Sequence, residues 1–153
     1  MICADQGGGL QVYDVQELKN GNTQPSFQIG TNKADVTALV PNPSPENGYV
    51  VAVVLGTGEL LLANLRDRQL VNGKNGMVLK SAVSCVSWST KGKQLVVGLR
   101  DGSAVQMDPE GVIKAVIPRP PSLDGVQHGE TLSAIRSDRV TNGFHSLRCF
   151  LGR

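Results

Sequence analysis

Nowhere in the 153 residues is there an apolar run of about 18, so no membrane-spanning helix is expected. The opening Met1-Ile2-Cys3-Ala4-Asp5 lacks the basic, then apolar, order of a secretion signal, and the chain reads as soluble and not secreted. Cysteine is scarce and odd in number. Cys3, Cys85 and Cys149 share no metal-type spacing, which points to reduced thiols in a cytosolic or nuclear setting. An excess of one charge is also missing: 15 basic and 13 acidic residues are interspersed and leave a net charge of +2. No basic face follows from those counts, so neither direct nucleic-acid binding nor an anionic membrane is expected. Aromatics make up only 4% of the chain, leaving Val, Leu and Ala to fill a core for which 40% hydrophobic residues suffice.

The motifs of reaction centres are absent too. His128 and His145 have no Cys or His at ligand spacing and read as solvated loop histidines. Gly7-Gly8-Gly9 and Gly56-Thr57-Gly58 could turn backbone amides toward a phosphate. Neither continues as Gly-x-Gly-x-x-Gly or ends in Gly-Lys-Ser/Thr, and Gly73-Lys74 and Gly92-Lys93 fail the same test. They read as hairpin turns, where glycine supplies positive φ. No Gly-x-Ser-x-Gly elbow is present. No catalytic, cofactor-binding or metal-binding residue is therefore assigned, and no cofactor is expected.

What the chain does have is a series of short β-prone runs. From Val83, Val83-Ser84-Cys85-Val86-Ser87-Trp88 alternates, Thr90-Lys91-Gly92-Lys93 punctuates, and Leu95-Val96-Val97 resumes. Arg100-Asp101-Gly102-Ser103 turns the chain before Ala104 to Met107 and Val112 to Ile117. Strands at spacings of roughly 8 to 12 residues with Asp-Gly turns predict an antiparallel meander. A four-stranded unit of about 40 residues is the size of a β-propeller blade. Asp35 to Leu70 repeats the pattern through Val36 to Val40, Tyr49 to Leu55, Glu59 to Asn64 and Gln69 to Val71. An opening unit has a strand over Met1 to Ala4, a glycine turn, a strand over Leu10 to Val15, a polar loop over Glu17 to Gln24 and a last strand over Pro25 to Gly30, but no residues for the strand that would precede Met1 to Ala4 in a full blade. Gly9, Gly58 and Gly102 fall at corresponding corners, 49 and 44 residues apart.

The fold class is thus all-β: a partial WD40-like propeller of about three four-stranded antiparallel blades over 1–121, near 1–30, 35–71 and 83–117. Residues 122–153 read as an irregular tail that need not be native propeller sequence. Its spacing admits a weak helix at 131–138 or 144–150. Pro118-Arg119-Pro120-Pro121 fits Pro-x-x-Pro, an SH3-type ligand pattern, yet a connector between blades is the stronger reading. Trp88 is read as core or inter-blade packing rather than an exposed anchor, and Arg66-Asp67-Arg68, Lys91 and Lys93 as solvated turns.

Val86 to Gly98, then Asp101 to Gln106, then Val116-Ile117-Pro118-Arg119-Pro120-Pro121, resembles the N-terminal β-propeller of the fungal-type, cytoplasmic-face FG nucleoporin that docks the DEAD-box mRNA-export helicase. The likeness is close over 83–121 and looser over 1–121. It implies a ring of about seven blades, of which this chain would be a fragment or truncated product. It also implies a non-catalytic scaffold at the cytoplasmic face of the nuclear pore, in the nucleus, with the helicase and other nucleoporins as partners. The family's helicase-docking loops belong to later blades, so no docking residue is carried over. The tail after Pro121 lacks the family's next apolar strand with its tryptophan. An unrelated WD40-type adaptor is the alternative. A propeller enzyme would need convergent acid, base or metal groups that this sequence does not show. Three blades of a ring would leave apolar outer faces and strand edges open, inviting aggregation.

Overall fold

The computed structural model describes residues 1–31, 35–71, 77–79, 83–118, 131–139 and 145–152. Three antiparallel meanders follow one another. The first sheet has β1 (Ile2–Ala4), β2 (Gly9–Val12) and β3 (Phe27–Gly30) in that order. The second has β4 (Val36–Pro41), β5 (Val50–Leu55), β6 (Leu60–Asn64) and β7 (Gln69–Leu70), with β8 (Met77–Leu79) also pairing β6. The third has β9 (Val83–Trp88), β10 (Leu95–Leu99), β11 (Ala104–Met107) and β12 (Ile113–Ile117).

One corner geometry joins the inner strand pairs of all three. The glycine amide bonds back across the turn, Gly8 to the Asp5 carbonyl at 3.1 Å, Gly58 to Leu55 at 2.9 Å and Gly102 to Leu99 at 3.1 Å. Each of these glycines has φ near +80°: +78°, +83° and +84°. That is a hairpin loop with a left-handed residue closing it, a place only glycine fills without strain. The corner in the first sheet is therefore Gly8, not Gly9 as the spacing suggested. Gly9 begins β2, and its amide donates to the Asp5 carboxylate at 2.7 Å.

The middle sheet shares its two faces between its neighbours. On β5 and β6, Val50, Ala52, Val54, Leu60 and Leu62 pack with Val83, Trp88, Leu95, Val97, Val105 and Met107 of the third sheet. The alternate residues Val51, Val53, Leu55, Leu61 and Ala63 pack with Leu10 and Ile29 of the first. Period-two alternation in strands buried on both sides explains why Val50 to Leu55 reads as an unbroken apolar run.

Three further readings are corrected. The stretch taken as a polar loop from Glu17 begins with a short helix, α1 (Val15–Lys19), because Asp14 caps it, its carboxylate accepting from the Gln16 amide at 2.7 Å. The weak helix at 131–138 or 144–150 is instead an antiparallel hairpin of β13 (Thr131–Arg139) and β14 (His145–Gly152). A register shift between Leu132 and Ala134 breaks the alternation that would have revealed it. The outward face of the first sheet is polar, not apolar. Exposed Cys3 and Gln28 flank Gln11, which donates to Asp5 at 3.3 Å and accepts from the Tyr13 hydroxyl. At the other end, Val96 and Ala104 are buried with Cys85 and Ile117 on the face turned away from the second sheet, and β13 runs close to β9 and β10.

Candidate docking surface

In a meander, the loops after the first and third strands leave from one end of the sheet, and the turn after the second from the other. The glycine corners thus share one end. The opposite end gathers the Pro-rich loop 42–48, the turn 89–94, the turns 65–68 and 108–112, and α1.

An inter-blade latch forms at this end. Asn42, buried in its Pro41-Asn42-Pro43 setting, donates from Nδ2 to the Gly92 carbonyl at 2.7 Å and accepts from the Ser44 amide at 2.9 Å. Gly92 has φ +63°, and a Cβ there would fall 1.9 Å from Asn42 Oδ1 and 2.5 Å from Ser44 Cβ. Trp88 Nε1 donates to the Val40 carbonyl at 2.9 Å, crossing from the third sheet to the second. Only 7% exposed and set in the shared core, Trp88 is inter-blade packing. Outside the latch lies a cleft of about 460 Å³ between Ser44, Pro45 and Glu46 on one side and Thr90, Lys91 and Lys93 on the other.

Nearer the rim, a second cleft of about 220 Å³ separates the 64–71 region and Tyr49 from Pro109 and Glu110. The turn read as solvated is exposed but ordered by its rings. Arg66 stacks over Tyr49 at 4.0 Å, and Arg68 reaches Phe27 of the first sheet at 5.0 Å. Asn64 accepts from the amides of Arg66 and Asp67 and donates to the Asp67 carboxylate at 2.7 Å. Beside the cleft, Lys114 pairs with Asp108 at 2.8 Å. Partial burial pushes the Asp108 pKa up, but the bond from Lys114 and the amides of Val112 and Glu110 outweigh it and hold the carboxyl below its usual value. The same bond raises Lys114.

Gly7-Gly8-Gly9 and Gly56-Thr57-Gly58 sit in hairpin corners, as read. Cys3 and Cys85 stand on different sheets, Cys3 exposed and Cys85 half-buried. Among the described residues no three His, Cys, Asp or Glu side chains gather to hold a metal, and no helix is long and apolar enough to cross a membrane. Gly73-Lys74, His128 and residues 119–121 of the Pro-rich connector lie outside the described residues. Sequence reasoning missed the Asn42–Gly92 latch. The only local signals were an asparagine held between two prolines and a glycine inside a lysine-rich turn.

Sheets stacked face to face, each a radial meander with its alternate residues in two different cores, define a β-propeller segment of WD40-like blades. Solved structures agree on the fold. The WD40 domain of Toxoplasma gondii coronin superposes with TM-score 0.58 at 15% identity, over 76% of this chain and 30% of that one. Dihydro-heme d1 dehydrogenase NirN does so with TM-score 0.68 at 15% identity, over 98% of this chain and 29% of that one. The profile of the NUP159/214 beta propeller matches residues 1–139, and the chain belongs to that family. It is 52% identical over 123 residues to nucleoporin NUP159 of Chaetomium thermophilum, covering 80% of this chain and 8% of that protein. It is 34% identical to nucleoporin nup146 of Schizosaccharomyces pombe, over 75% of this chain and 8% of that protein. To human nuclear pore complex protein Nup214 it is 32% identical, over 79% of this chain and 6% of that protein. The chain spans less than a tenth of the length of these relatives. The family read from residues 83–121 is the family found.

Proposed function

We propose that this chain is part of a nucleoporin propeller, a non-catalytic docking scaffold at the cytoplasmic face of the nuclear pore that serves mRNA export and nucleocytoplasmic transport. The observation that carries this reading is the family match over residues 1–139, with 52% identity to a nucleoporin. The geometry is in keeping with it. β5 and β6 spend both faces on packing, so the loops and outer strand edges are what the blades offer to partners. By family resemblance the partners are the DEAD-box mRNA-export helicase and neighbouring nucleoporins, with the helicase contacts in blades outside this chain.

The test has two arms. The fluorescently tagged chain, co-expressed with the remaining blades of the propeller, should gather at the nuclear rim, and an even cytoplasmic distribution would sink the pore assignment. In a pull-down, the purified helicase should be retained by the chain together with those blades and not by the chain alone. Retention by neither would remove the docking role.

A further inference from the structure

We propose that the rim cleft between the second and third sheets, with the free edge of β12, binds an extended peptide in which one basic side chain is followed by apolar residues. The cleft joins two unlike surfaces. Its apolar floor is Val50 and Val71, and its opposite walls carry one carboxylate each, Asp67 from the second sheet and Glu110 from the third. Of the nearby cations, Arg66 lies on the Tyr49 ring, and Lys114 bonds Asp108 while feeling the Glu110 charge only at longer range. Neither Asp67 nor Glu110 forms an ion pair among the described residues; the Asp67 carboxylate accepts from the side-chain amide of Asn64 and from no cation. An arginine or lysine would lay its methylene stem on that floor and bring its head between the two acids, the arrangement in which long cationic side chains are held best.

Beyond the cleft the same face turns apolar. Val112 is 53% exposed, Ile113 48% and Val116 66%. The register sets Ile113 opposite Met107 and Val116 opposite Val105, and both partners belong to the core shared with the second sheet. Ile113 and Val116 therefore project to the cleft's side of the sheet, along a strand that, among the described residues, ends its sheet and is paired on one edge only. An edge strand presents its amides and carbonyls to an added strand, which supplies affinity while side-chain pockets supply choice. The turn that carries Glu110 leads directly into β12, so the charge and the backbone together select a basic residue leading an extended apolar segment.

The test uses the whole chain and two fluorescein-labelled octapeptides, one with arginine leading alternating valine and threonine, the other with glutamate in place of the arginine. Anisotropy should show the arginine peptide binding on the order of 10-fold tighter, with the advantage falling at high salt as the charges are screened. Asp67→Asn with Glu110→Gln should erase the preference. Val116→Ser should weaken both peptides alike. All three side chains are exposed, and an unchanged thermal transition checks that each variant folds. Equal binding of the two peptides, no binding of either, or a preference that survives the double substitution would overturn the proposal. So would self-association of the chain through β12 that leaves no room for peptide.

Discussion

Substituting Gly92 by alanine tests the junction between the second and third blades. Two separate penalties meet at this position. The backbone is left-handed at φ +63°, which costs an L-residue roughly 1 kcal/mol or slightly more. The new methyl would also sit 1.9 Å from Asn42 Oδ1, so Asn42 has to move. Its two buried bonds, to the Gly92 carbonyl and from the Ser44 amide, are then lost or strained, at about 1 kcal/mol each. The expected loss is about 3 to 4 kcal/mol, a large share of the roughly 5 to 15 kcal/mol that holds an ordinary domain. Gly21 supplies the control. It is also left-handed, at φ +87°, with nothing within 4 Å of where the added methyl would stand, so Gly21→Ala should lose only about 1 kcal/mol. Urea unfolding at constant m-value measures both. Asn42→Ala closes a double-mutant cycle. With the asparagine already truncated, Gly92→Ala should lose about 1 to 2 kcal/mol less than it does alone. Equal losses at Gly92 and Gly21, or strict additivity in the cycle, would refute the latch.

Trp88→Phe keeps most of the ring but removes the bond to the Val40 carbonyl, and should cost about 0.5 to 1.5 kcal/mol in the same assay. Leu61→Ala and Leu62→Ala each empty a fully buried site and should each cost about 2 to 5 kcal/mol. Hydrogen exchange should tell them apart, since Leu61→Ala loosens amides of β2 and β3 and Leu62→Ala those of β9 to β11. The Asp108–Lys114 pair sets a pH signature. A carboxyl held low in the folded chain contributes stability that is complete above its ordinary value of 3.8 and is lost as the pH falls through the lowered one. A raised lysine contributes stability that is complete below 10.5 and is lost as the pH rises through the raised value. The difference in thermal midpoint between the native chain and Asp108→Asn should therefore hold steady from about pH 5 to 9 and shrink at both extremes. A flat difference across the acid limb would show that the pair adds nothing to the fold.

The strands were legible because their signals are local. Val83 to Trp88 and Leu95 to Leu99 carry β-prone residues, and Asp101-Gly102 marks the corner between β10 and β11. Gly7-Gly8-Gly9 hid the exact corner, since three glycines in a row leave the left-handed position undetermined until the Asp5 hydrogen bonds are seen. α1 was missed because five residues carry too little periodicity, although Asp14 ahead of Val15 was a capping signal. The latch could not be read at all. Asn42 and Gly92 are 50 residues apart, and nothing in either neighbourhood names the other. The rim cleft was likewise invisible, because its two acids look like ordinary solvated turn residues until the sheets set them on facing walls.

Because every second side chain of β5 and β6 belongs to a different neighbour, the middle blade has no spare phase. One residue inserted within Val50 to Leu55 would exchange the two sets beyond it, sending leucine and valine meant for one junction into the other and unseating both at once. Changes of length should thus be tolerated in the 45–48 part of the loop, beyond the Asn42–Ser44 latch, and refused by the strands. Homologues that diverge in size ought to do so in such loops, where novelty leaves the stack undisturbed.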